Sequence, residues 1–414
     1  MSQTKNDIIN KKTVAVFFGG RSPEHDVSVI SGLQALQALD NELYKTMPVY
    51  IAPDGAWYVG DVLRRRENYM LSADDMKQVV EVTLDVKGAA RGGVLIPKKT
   101  PLFGAPKPIC FDIAIPVFHG LYGEDGNIQG LFELANVPYA GMRTKASAIL
   151  MDKVTTKYLL NAIDVPALPY SMIKRPDEGY LVPEDELDLV LKPLGYPCII
   201  KPAHLGSSIG VSKVNNAAEA KACLPAVFEF DDAAIAEPFV ENLVEYNVSV
   251  ARVNGEIVTS AIERPKAADE LLDFKQKYMS GGNGKGGKLS GAKTFTTASE
   301  GMLSLTRDIN PDIPAEMEAN IRKWASAMFD AIDGTGVPRI DFIGNEKSGE
   351  IWMNEVNPCP GSLGYFLWEA TKNNPVFFTD LLTSMVAEAL IENQKRILPH
   401  DPVPEGARLL TRAG

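Results

Sequence analysis

Residues 337–358 read VPRIDFIGNEKSGEIWMNEVNP, two alternating runs joined through the turn signal NEKSG, and this pattern constrains the fold more than any other stretch of the chain. A hairpin centred on Ser348 sets Arg339 opposite Asn357 and Asp341 opposite Glu355, because each pair is symmetric about that residue. Period-two alternation then puts all four on one face. Two carboxylates facing across a strand pair repel one another unless a cation sits between them, and Asn357 adds a neutral oxygen. An all-oxygen set suits Mg²⁺ better than zinc. The alternative is a solvated face with chance charges, and the hairpin alone does not separate the two.

The rest of the chain reads as α/β. From residue 13 to about 141, short apolar strands (TVAVFF, KTMPVYIA, FDIAIPVF) alternate with helical patterns at about residues 27–39 and at IQGLFELA, as expected of a parallel sheet with covering helices. Residues 61–107 are irregular and charged, with a hairpin expected from VEVTLDV and GGVLIP, and read as an insertion. A second unit starts near residue 142 with the helical run TKASAILMDKVTTKYLLNAI, and a third runs from about 241 to 414. Within the third, Met317, Ile321, Trp324, Met328 and Ile332 recur at helical spacing and belong to a core rather than a ligand site. A length of 414 residues fits two or three such units.

Composition removes several function classes. A formal charge of −11 argues against a nucleic-acid partner, which needs clustered Lys and Arg. Four dispersed cysteines make no C-x-x-C pair, so neither a zinc site nor a disulfide framework is expected, and all four read as buried thiols. The polar start MSQTKNDIINKK carries no secretory or membrane signal, and the cytoplasm is the expected location, with no membrane partner.

Three further stretches could carry chemistry. In IIKPAHLGSSIGVSKV, a lysine ends a buried strand before a turn containing Gly206, Ser207, Ser208 and Gly210, offering a cation and backbone N–H groups to anionic oxygens. AEPFVENLVEYNVSV places Glu237 at a strand end and Glu245 at the next strand's start, across a crossover suited to a purine and ribose. In GGRSPEHDVSVISG, Glu24 lies near a helix start where Ser28 or Asp26 is the expected cap. A flexible turn, a linker and a helix cap are the plain readings of these three. A fourth stretch, SGGNGKGGKLSGAK at residues 280–293, misses the phosphate-loop pattern because Leu289 stands where its hydroxyl should be.

Taken in order, these motifs resemble the D-alanyl-D-alanine ligase family of the ATP-grasp superfamily, from VAVFFGGRSPEHDVS through FHGLYGEDGNIQGLFELANVPYAG, MDKVTTKYLL, KPAHLGSSIGVSKV and KQKY to RIDF and MNEVNPCPG. The resemblance implies an ATP-grasp fold behind an N-terminal Rossmann-like parallel α/β domain. Residues 1–141 would form the substrate-binding domain, 142–240 the central ATP-grasp subdomain, and 241–414 the C-terminal one, with an omega loop at 274–294.

The same resemblance implies the roles. Lys153 and Lys201 would bind the α- and β-phosphates of ATP, Glu237 and the backbone of Val240 would read adenine, and Glu245 would hold the ribose. Asp341, Glu355 and Asn357 would hold two Mg²⁺ ions, with Mn²⁺ as a substitute. A substrate carboxylate would attack the γ-phosphate while Lys277 screens charge. The resulting acyl phosphate would be attacked by an amine, with Arg339 and an N–H near Gly361 stabilising the oxyanion. Glu24 would hold the first amino acid's ammonium, hydrogen-bonded with Ser207 and Tyr278. Tyr278 favours an amine nucleophile, since the family's ester-forming members lack it. The partners implied are amino acids and ATP, in a homodimer, and the glycine-rich stretch becomes part of a lid.

One departure from the family pattern bears on specificity. After NPCPG the family continues to a Ser-Leu that receives the second substrate's carboxylate, whereas here SLGYFLWEA follows, with Ser362 and Leu363 early and Tyr365 and Phe366 in the later place. A changed acceptor is therefore expected, with D-alanine as the default for both substrates. The alternatives are a related amino-acid ligase with another acceptor and a catalytically silent nucleotide-binding protein. The first turn, GGRSPEH, lacks G-x-G-x-x-G, which argues against an NAD-linked dehydrogenase.

Overall fold

A computed structural model describes residues 11–69, 71–87, 92–99, 104–206, 210–266, 307–396 and 403–409. Its first sheet is built on β1 (Lys12–Gly19), flanked in parallel by β2 (Tyr44–Ile51) and by β7 (Ile113–Val117), with α1 (His25–Ala38) crossing between β1 and β2. Successive residues of β1 are buried on both faces. Val14, Val16 and Phe18 meet Leu33 and Leu36 of α1, while Ala15 and Phe17 meet Phe132 of α2 (Asn127–Leu134) and Tyr139. Such a strand must be apolar throughout, which is why TVAVFF carries no alternation.

Residues 57–111 extend this same sheet. β3 (Trp57–Val59), β4 (Val80–Leu84), β5 (Gly93–Pro97) and β6 (Ile109–Phe111) join β2 one after another, all antiparallel. The expected hairpin of VEVTLDV with GGVLIP is present as β4 and β5. The parallel part is thus three strands wide, and the stretch read as an insertion continues the sheet edge.

The second sheet is small and antiparallel, in the order β10-β9-β11-β8, with β8 (Ser171–Lys174), β9 (Cys198–Pro202), β10 (Ser212–Val214) and β11 (Ala233–Pro238). One face carries Cys198, Ile200, Ala234 and Ala236 and packs on α5 (Glu184–Leu191) and α6 (Ala217–Phe228). By alternation, Ile199, Lys201, Ile235 and Glu237 share the other face. The third sheet, β14-β13-β12-β15-β16, comprises β12 (Leu243–Val253), β13 (Glu256–Pro265), β14 (Arg307–Ile309), β15 (Arg339–Asn345) and β16 (Ile351–Asn357).

Two helical segments pack across the units drawn from sequence. α3 (Thr144–Met151) and α4 (Lys153–Ala162) place Ala146, Leu150 and Leu160 against Ile340, Phe342 and Met353 of the third sheet, which α7 (Ala315–Ala331) also covers. In α7, Ile321 and Met328 are fully buried, and Met317 and Trp324 pack at the edge of the same core. After α8 (Tyr365–Glu369), α9 (Phe378–Arg396) returns to the first sheet and sets Leu381, Leu382 and Met385 on the core of Val14 and Val16. Truncating a fully buried leucine such as Leu382 to alanine would cost about 2–5 kcal/mol.

The cysteines are free among the described residues, but not all are buried: Cys198 is buried, Cys223 and Cys359 are half-buried, and Cys110 is exposed on the short edge strand β6. No described helix is long and apolar enough to cross a membrane.

Candidate active site

The hairpin register falls where symmetry about Ser348 puts it. Arg339 pairs with Asn357 and Asp341 with Glu355, and a bulge just past Asp341 shifts the remaining pairs by one residue. The residue set off by that bulge is Asn354, whose Oδ1 accepts from Lys201 Nζ at 3.0 Å, tying the third sheet to the second. Arg339 holds Asp341 through two hydrogen bonds of 2.6 Å, and Asn357 Nδ2 donates to Asp341 Oδ2 at 2.9 Å. Across β12, Asn247 pairs with Asp341 on one side and with Glu263 of β13 on the other, so the polar row runs Glu263, Asn247, Asp341, Glu355. Glu245, two residues before Asn247, shares that face.

Lys201 and Glu237 lie diagonally on the open face of the second sheet, and the Lys201 ammonium is 2.6 Å from Glu237 Oε2. Lys157 approaches the other carboxylate oxygen at 2.5 Å. Burial opposes the charge on Glu237, but the two ammoniums outweigh it and hold the carboxyl at about 2. Lys153 starts α4, where Asp152 caps the helix by accepting from the N–H groups of Val154 and Thr155. The Lys153 Nζ donates to the carbonyl of Leu205 at 2.5 Å, in the turn that follows β9. Burial pulls its pKa down, and the nearby Glu355 charge opposes that shift.

Glu24 occupies the cap position of α1 without capping it through its side chain. Ser28, expected as a cap, lies inside the helix and accepts from Gly19 N at 2.8 Å while donating to the carbonyl of Val117, so it joins the ends of β1 and β7. Asp26 stands in the first turn, one residue beyond the helix start. The Glu24 carboxylate packs so tightly on Gly120 that a Cβ there would come within 2.4 Å of Oε2. Gly120 also takes a φ of +73°, which favours glycine, and a side chain there would push the Glu24 carboxylate aside. Burial, then the negative charge of Glu355, raises Glu24 to about 7, with Lys153 opposing. The Glu355 charge thus acts on Glu24, Lys153 and Lys201, which come from the neighbourhoods of the first and second sheets.

Sequence reasoning missed several groups that the fold brings here. Glu124 accepts from Gly120 N at 2.7 Å and from Cys359 N at 2.9 Å, pinning the loop after β7 to the loop after β16, and burial with the Glu24 charge raises it to about 8. His119, also buried, meets Ser31 Oγ at 3.0 Å, and burial lowers its pKa to about 4. Lys157 was legible as the residue one turn after Lys153 on the same helix face. Asn247 was not, because its place depends on a pairing between strands ninety-odd residues apart in sequence.

The SLGYF stretch differs from its expected role. Ser362, Leu363 and Gly364 all take left-handed backbone angles, and Ser362 N donates to Ser31 Oγ on α1 at 2.9 Å. This turn rotates Tyr365 inward, where its ring stacks on Phe378 with centroids 4.7 Å apart. Tyr365 is therefore half-buried, with its ring packed against the core shared by the first sheet and α9. Phe366 faces the other way and lies under the Arg307 guanidinium at 4.8 Å. Ser207, Lys277, Tyr278 and the stretch at 280–293 lie outside the described residues.

Oxygen donors on adjacent strands, a cluster of buried lysines and a carboxylate near a glycine turn have the chemistry to hold a metal-bound nucleotide beside a small zwitterion. Comparison with known proteins gives the family. Residues 13–142 match the model of the D-ala D-ala ligase N-terminus, and residues 159–387 that of its C-terminus. The chain is 32% identical to the D-alanine–D-alanine ligase of Thermosipho africanus, covering 94% of this chain and 96% of the relative, and 35% identical to that of Heliobacterium modesticaldum, covering 87% and 90%. Among solved structures it is similar to the VanG D-Ala:D-Ser ligase of Enterococcus faecalis, with a TM-score of 0.69 and 26% identity over 92% of this chain and 99% of that one. The chain belongs to the D-alanine–D-alanine ligase family.

Proposed function

We propose that the protein is an ATP-dependent ligase that joins D-alanine to D-alanine through an acyl phosphate, releasing ADP and phosphate. The observation that carries this reading is geometric: Lys201 Nζ bonds Asn354 on the strand of Glu355, and Lys153 reaches the carbonyl of Leu205 in the turn whose Gly206 faces the Glu24 carboxylate, so a group for a substrate ammonium would stand beside groups for phosphates. In this reading Lys153 and Lys201 hold the α- and β-phosphates, Glu237 with the Val240 backbone reads adenine, and Glu245 holds the ribose. Glu24 accepts from the first D-alanine's ammonium and so aims its carboxylate at the γ-phosphate.

Asp341, Glu355 and Asn357 fit a divalent cation by their donor set, three hard oxygen ligands on one face of adjacent strands. They would hold two Mg²⁺ ions, which supply positive charge next to the transferring phosphoryl group. Arg339, now held by Asp341, would donate to the oxyanion formed when the second amine attacks. Lys277 would screen the γ-phosphate, and Ser207 and Tyr278 would complete the hydrogen-bonded set of Glu24. A homodimer completes the reading.

Isotope transfer tests it. D-Alanine labelled with ¹⁸O in its carboxylate should pass one labelled oxygen to the released phosphate, because that oxygen bridges carbon and phosphorus in the acyl phosphate. Unlabelled phosphate alongside dipeptide would rule the intermediate out.

A further inference from the structure

Lys153 and Lys157 stand one turn apart on the same side of α4, yet they end in different surroundings. Lys153 reaches the turn after β9. Lys157 turns beneath the second sheet, where its Nζ donates to the carbonyl of Leu168 at 3.1 Å and meets Glu237 Oε1. Its side chain is 2% exposed, against 11% for Lys201 on the opposite oxygen of the same carboxylate. The two lysines thus grip Glu237 from the interior side and from the site side.

We propose that Lys157 is a positioning residue for nucleotide selection, fixing the Glu237 carboxylate as an oriented hydrogen-bond acceptor for the adenine 6-amino group. The proposal rests on the adenine role given above to Glu237. Lys201 cannot serve the same end, because it must turn its protons toward phosphate and is already shared with Asn354. When it does so, a buried carboxylate with no second cation would be left to neutralise or to rotate. Lys157 prevents both. It is anchored by Leu168, lies away from the phosphates, and keeps one carboxylate oxygen engaged while the other stays available. A carboxylate so held accepts from an amino group and repels a carbonyl oxygen, which is the difference between adenine and hypoxanthine. No atom of Lys157 need touch the nucleotide.

The experiment compares ATP with inosine triphosphate, by calorimetric affinity and by KM, in the wild type, Lys157→Met, Lys157→Arg and Glu237→Gln. The preference for ATP should fall by about tenfold or more in Lys157→Met, as expected for loss of a hydrogen bond to a charged group, while the KM for D-alanine stays unchanged. Lys157→Arg should restore most of the preference, because a guanidinium can still engage both Glu237 and the Leu168 carbonyl. A general weakening of the site would instead lower both affinities equally. Equal losses in Lys157→Met, with the preference lost in Glu237→Gln, would overturn the positioning role alone. An unchanged preference in both would remove the adenine role of Glu237, and the proposal with it. If Lys157→Met fails to fold, Lys157→Gln keeps a neutral donor in the same volume and carries the same two outcomes.

Discussion

Arg339 grips Asp341 two residues further along its own strand, with Nε to Oδ1 and Nη2 to Oδ2 both at 2.6 Å. The pair leaves each group orientated but committed to the other. In the proposed reading, cation binding at Asp341 and oxyanion binding at Arg339 would be coupled, because engaging one carboxylate oxygen with a cation would release part of the guanidinium. Asp341→Asn should lower turnover by at least about a hundredfold while shifting the unfolding temperature little, because the carboxylate contributes charge and not core packing. Steady-state kinetics across a Mg²⁺ titration, with calorimetric unfolding as the control, checks this. Ordinary turnover at ordinary Mg²⁺ would remove Asp341 from the site.

Glu24 supplies a pH dependence. Burial and the Glu355 charge hold it at about 7, and only its ionised form attracts an ammonium. The KM for the first amino acid should fall as pH rises toward that value, changing about tenfold per pH unit on the acidic side. Glu24→Gln should raise KM and flatten the profile. A wild-type KM that is level between about pH 5.5 and 7.5 would contradict the assignment of the ammonium to Glu24.

Glu388, on α9, concerns stability. Its Oε2 accepts from Gly336 N at 2.7 Å, and burial raises its pKa to about 7. A raised carboxyl means that the folded state binds the proton more tightly than the unfolded chain does. Stability is therefore lost as pH climbs from the unfolded value of 4.5 toward about 7. Glu388→Gln, which keeps the acceptor and removes the ionisation, should stabilise the protein by about 1–3 kcal/mol near pH 8 and by nearly nothing near pH 4.5. Urea unfolding at the two pH values measures the difference, and an equal effect at both would show that the charge is not the cause.

Tyr365 separates a core role from an acceptor role. Its ring is stacked on Phe378, so Tyr365→Ala should destabilise by about 1–3 kcal/mol while leaving the KM for the second amino acid within about twofold of wild type. A large change in acceptor preference with unchanged stability would restore the reading drawn from sequence.

The register of β15 and β16 was legible because a tight hairpin leaves little freedom: symmetry about Ser348 placed Asp341 opposite Glu355, and the bulge falls just beyond the functional pairs. The end of β9 near Lys201 was legible because glycines follow an apolar run, but the lysine's partners were not, since a flexible turn is the plain reading of that stretch. The inward turn of Tyr365 was not, since it follows from three successive left-handed residues of which only Gly364 is a glycine. Nor was the docking of α9 on the first sheet, because its apolar stripe could have covered any open face. Glu124 was hidden for a similar reason, as both backbone groups it accepts from belong to loops whose meeting depends on the whole fold.

Product formation across an amino-acid panel tests the ligase reaction itself. The protein would be incubated with Mg²⁺, ATP and D-alanine alone, then with D-alanine paired with D-serine, D-lactate or L-alanine, following ADP and dipeptide together. One ADP and one phosphate should appear for each D-alanyl-D-alanine formed, with no reaction on L-alanine alone. ADP release no higher with D-alanine than without it, and no dipeptide, would rule the ligase reaction out.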